Sequence, residues 1–122
     1  MNDDIRKLEC LDLIDTNSIE SIIVLTNNNT DLFDNILKSF IEDVVELIAT
    51  AEKASKENNF LDIKYSIHSI KGLASTLGTK RVAEIAKLID SKIKEGLLEE
   101  SKEYIPNLAE SIKLTIKELN KK

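Results

Sequence analysis

Residues that interrupt helices are scarce in this sequence: its 122 positions hold three glycines and one proline. So few turn formers exclude a chain of many short strands and hairpins, and leave long helices with few breaks. Tryptophan is absent and cysteine occurs once, at Cys10, so no intramolecular disulfide can form. The longest apolar run, Ile22 to Leu25, falls far short of the about 20 residues that cross a bilayer. The opening stretch MNDDIRKLEC is acidic and lacks the apolar centre of a secretory signal, so a cytoplasmic protein is expected. Asn28-Asn29-Thr30 matches a glycosylation sequon, and without such a signal it reads as incidental. A net charge of −5 argues against a nucleic-acid partner bound through its phosphates.

What the sequence does hold is helical periodicity. The length fits one domain over residues 1–122, and 42% hydrophobic with 32% charged residues is ordinary for a globular chain. Residues 1–11 read as a loose, charged lead-in. A short amphipathic helix follows at about Asn17 to Leu25, with Asp15, Thr16 or Asn17 as its cap. Thr30 or Asp31 is expected to cap a long helix to about Lys56, with Phe33, Ile36, Leu37, Phe40, Val44, Leu47, Ile48 and Ala51 on its inner stripe. Asn59 suits the cap of the next helix. A further helix after Gly78 turns Val82, Ile85, Ala86, Ile89 and Ile93 inward and ends at Gly96. The last carries Ile105, Leu108, Ile112, Ile116 and Leu119, and Pro106 is expected to kink it. The fold class expected is all-α: an antiparallel up-down-up-down four-helix bundle with a short additional N-terminal helix as a lid.

Histidine, too, occurs once. His68 lies in FLDIKYSIHSIKGLASTLG, residues 60–78, where Phe60, Ile63, Ile67, Ile70, Ala74 and Leu77 recur at steps of three and four. His68 is about 100° round from Ile67, so it points off that stripe. Lys71 and Gly72 follow within one turn. Glycine inside a helix costs about 1 kcal/mol relative to alanine, so Gly72 beside an exposed imidazole asks for a reason.

His68, Lys71, Gly72 and Gly78 fit the pattern H-x-x-K-G-x-x-x-x-x-G, and the stretch resembles histidine-containing phosphotransfer (HPt) domains. The resemblance continues through GTKRVAEIAKLIDSKIKEG, with Val82, Ile85, Ala86, Ile89, Asp90 and Gly96 in matching places and Asp90 where glutamate is commoner. It covers roughly Asp12 to Leu119. It implies that His68 accepts a phosphoryl group through Nε2 from an aspartyl phosphate and passes it to another receiver domain in a two-component phosphorelay. The implied partners are receiver domains of response regulators and hybrid histidine kinases, docking around Leu61, Lys64, Tyr65, Gly72 and Ser75, with Ile19 or Ile22 adding apolar contacts. Gly78 is assigned a structural role. No cofactor is expected on this chain, and magnesium is expected on the partner receiver.

The residues themselves support that chemistry. A neutral imidazole attacks phosphorus without a separate base, an ammonium at Lys71 stabilises phosphate oxygens, and a bare Gly72 clears the approach. The plain alternative for Lys71 is a solvated charge. Other chemistries fail on spacing. GLASTLGTK, residues 72–80, only superficially resembles a nucleotide-binding loop: its glycines are one residue too far apart and Lys and Thr are inverted. One histidine makes no metal or haem site, and no nucleophile–base–acid set surrounds it. A monomeric phosphoryl carrier without kinase activity of its own is therefore expected, either free-standing or excised from a larger kinase. The rivals are a helical adaptor that binds receivers without phosphorylation, and the phosphoacceptor domain of a chemotaxis-type kinase.

Overall fold

The computed structural model describes residues 3–121, and those residues are all-α. In chain order the helices are α1 (Asp3–Glu9), α2 (Thr16–Leu25), α3 (Thr30–Lys56), α4 (Phe60–Leu77), α5 (Lys80–Lys94), α6 (Leu98–Glu103) and α7 (Ile105–Leu119). α4 packs on both α3 and α5, and α7 closes the far side against the same two. The four enclose a core of Phe40, Val44, Ile48, Ile63, Ile67, Ile70, Ile85, Ile89, Leu108 and Ile112. These are the residues that recur at helical spacing, so burying one stripe per helix removes most large apolar side chains from water at once.

Helix ends follow the asparagine-rich breaks. Asn29 caps α3, its side chain accepting from Leu32 N at 3.1 Å, in place of the expected Thr30 or Asp31. The preceding residues explain this. Asn27 and Asn28 adopt the left-handed conformation that asparagine tolerates, so the chain turns one residue earlier. Asn59 caps α4 as expected, accepting from Asp62 N at 3.2 Å.

Two expectations need correction. Residues 3–9 are not a loose lead-in but the helix α1, which packs on α5 and sinks Ile5 to 1% exposure. Arg81 holds the following segment, donating from Nε and Nη2 to Leu11 O at 2.8 and 2.6 Å. With only Ile5 and Leu8 apolar, one turn of pattern was too short to distinguish from an irregular tail. Pro106 does not kink a long last helix either. The break falls at Tyr104, between α6 and α7, and Pro106 sits in the first turn of α7. A missing N–H costs nothing there, because first-turn amides have no helical acceptor.

Gly78 joins the lid to the bundle. It has φ +84° at the end of α4, and its carbonyl accepts from Asp15 N at 2.7 Å. A Cβ built there falls 2.3 Å from Ser18 Cβ and 2.9 Å from Ser18 Oγ. Gly78→Ala therefore combines a left-handed backbone with a clash against α2. The expected cost is about 2–4 kcal/mol, checked by urea denaturation; a midpoint equal to the parent's refutes this role.

Candidate functional site

α4 divides its residues between two tasks. Ile63, Ser66, Ile67, Ile70, Ala74 and Leu77 are buried, and the other side carries Leu61, Lys64, Tyr65, His68, Gly72 and Ser75, all exposed. The core face fixes the helix, and the 3.6-residue repeat then fixes where His68 points. Leu61 and Tyr65 are 76% and 66% exposed, which puts two large apolar side chains in water one and two turns before the histidine. Lone exposed apolar residues are common, but these lie on the histidine's own stripe.

An added Cβ at Gly72 meets no atom within 4 Å, so packing does not require the glycine. The residue borders an apolar groove of about 600 Å³ between α2, α3 and α4, lined by Ile22, Leu25, Ile36, Phe40 and Leu73 among others. Ile22 faces this groove. Ile19 does not: it is 6% exposed and belongs to the core, so it is unavailable as a surface contact.

Lys71 is not a freely solvated charge. Its Nζ donates to Asp90 Oδ2 at 2.8 Å, and the Lys94 ammonium lies 3.1 Å from the same oxygen. The Asp90 side chain is 5% exposed, so α5 carries a nearly buried carboxylate facing the helix that bears the histidine. Burial pushes the Asp90 carboxyl up, but the hydrogen bonds and charges of Lys71 and Lys94 outweigh it and hold the group below the usual carboxylate range. Asp90 is the residue whose part the sequence reading left open. Its signal was there: Val82, Ala86 and Asp90 form an i, i+4 row that turns acidic on an inward face, with Lys94 the next member. Among the described residues no cluster of three or more acidic, cysteine or histidine side chains is placed to hold a metal ion. Among the described residues no helix is long and apolar enough to cross a membrane.

The protein is thus a helical bundle in which one face of α4 builds the core and the other presents the single histidine, one turn before Lys71, which is paired with Asp90, and Gly72. The family model of the Hpt domain matches residues 35–120, and the chain belongs to that family of histidine phosphotransfer domains. No curated protein sequence matches. Among solved structures, the crystal structure of histidine-containing phosphotransfer protein B from Pseudomonas aeruginosa PAO1 aligns with a TM-score of 0.81 at 17% identity. The alignment covers 89% of this chain and 92% of that one. At such identity the likeness speaks to the fold.

Proposed function

We propose that this chain carries phosphoryl groups on His68 between receiver domains of a two-component phosphorelay, as a cytoplasmic monomer of the bacterial type without kinase activity of its own. The observation that carries the reading is the placement of His68, exposed on α4 within one turn of both Lys71 and Gly72. The histidine Nε2 lone pair forms an N–P bond while the P–O bond to the receiver's aspartate breaks, its electron pair leaving on the carboxylate. The reverse step returns the group to another receiver. Lys71 offsets charge on the phosphoryl oxygens as they move. Magnesium belongs to the receiver, whose aspartate also supplies the leaving group. Leu61, Lys64, Tyr65 and Ser75 surround the histidine as the docking face, and the groove beside Gly72, with Ile22 and Leu25, extends it.

Gly72 separates stability from function. Because a Cβ added there meets no neighbouring element within 4 Å, Gly72→Ala is expected to gain up to about 1 kcal/mol from helix propensity. A long side chain instead projects where a receiver must approach. Gly72→Gln is expected to keep or raise the melting temperature and to slow transfer at least about tenfold, roughly 1.4 kcal/mol of barrier, with alanine in between. Transfer from a phosphorylated receiver, with melts in parallel, tests this. Parental rates in a folded glutamine variant would refute the clearance role.

A further inference from the structure

Two ammonium groups share one buried oxygen. Asp90 Oδ2 receives Lys71 at 2.8 Å from α4 and Lys94 at 3.1 Å from its own helix. They differ in exposure and in reach. Lys94 is 64% exposed in the last turn of α5, whereas Lys71 is 26% exposed and leaves α4 three residues after His68. A buried carboxylate deprived of its sole cation is strongly disfavoured, so a lysine that was its only partner would be held in place. With two cations, the carboxylate can release one.

We propose that Lys94 is a positioning residue: it keeps Asp90 compensated so that the Lys71 ammonium can leave for the phosphoryl oxygens on His68. The inference rests on the phosphoacceptor reading of His68 and deepens it. No covalent bond changes in the exchange. Lys71 trades a carboxylate oxygen for a phosphoryl oxygen, and Asp90 keeps its contact with Lys94. In the resting protein Lys71 leaves α4 one turn after His68, with its ammonium on Asp90.

The test uses phosphoramidate as a small donor. The N–P bond to His68 forms as the donor's P–N bond breaks, and the amine leaves as ammonia with the proton lost from the imidazole. Uptake is followed by phosphorus NMR in the parent, in Lys94→Met, in Lys94→Arg, and in Lys94→Met built on Asp90→Asn. Lys94→Met is expected to slow uptake about three- to tenfold, and Lys94→Arg to restore it to within about twofold. On the Asp90→Asn background the Lys94 change is expected to have no further effect, since no carboxylate then grips Lys71. Parental uptake by Lys94→Met, whatever its melting temperature, overturns the proposal and leaves Lys94 as a counterion of Asp90 with no part in transfer. Equal slowing on the Asp90→Asn background overturns it as well, because Lys94 would then act without Asp90. Failure of the parent itself to take up phosphoryl overturns the reading of His68 instead.

Discussion

His68→Gln is expected to abolish phosphoryl acceptance while leaving helical content and the melting temperature nearly unchanged. The side chain is exposed and points off the face of Ile63, Ile67 and Ile70, so its loss leaves the core stripe intact. Surface substitutions of this kind usually change stability by less than about 0.5 kcal/mol. Glutamine keeps a polar side chain of similar length but offers no imidazole lone pair to phosphorus, and this is the chain's single histidine. In the parent, the phosphorylated product is expected to be labile in acid and stable in base, as a phosphoramidate is. Labelling from a phosphorylated receiver, with circular dichroism melts alongside, checks both halves. Label retained by the variant, or an acid-stable product in the parent, would refute the assignment.

Lys71→Ala is expected to slow transfer by about ten- to a hundredfold, roughly 1.4–2.7 kcal/mol of lost transition-state stabilisation. The ion pair changes what this substitution does to the fold. A freely solvated lysine would be nearly silent, but Lys71 donates to a carboxylate that is 5% exposed. Its removal is therefore expected to cost about 1–2 kcal/mol, held to that range because Lys94 still faces Asp90 at 3.1 Å. Single-turnover transfer kinetics measure the first effect and urea denaturation the second. Unchanged rates would reduce Lys71 to a structural counterion of Asp90.

The bundle was legible because its helices each carry a long, regular stripe. In α4 and α7 nearly every residue expected inside is buried, since eighteen- and fifteen-residue windows average out local noise. The same logic placed His68 outward, as geometry then required. Short segments were illegible for the converse reason. α1 offers one turn of pattern, and its order comes from packing on α5, far along the chain, where Ile5 is buried. The break at Tyr104 was hidden by a neighbouring proline, whose missing donor drew the prediction of a kink to the wrong residue. At the site, residue types on one helix were readable, but the Lys71–Asp90 pair was not. It joins positions 19 residues apart on two helices and depends on how closely α4 and α5 approach. Ile19 shows the limit of an amphipathic pattern on a short helix: α2 presents apolar residues on more than one side, and packing decides that Ile19 goes in while Val24 and Leu25 stay out.

A single relay assay decides whether this chain carries phosphoryl groups between receivers. The intact chain is mixed with a receiver domain carrying labelled aspartyl phosphate and magnesium, then challenged with a second, unlabelled receiver. Label is expected to arrive on the chain at His68 and to pass on to the second receiver. Binding of the receiver with no label on the chain would contradict it, and would make the protein an adaptor that recognises receivers without taking part in their chemistry.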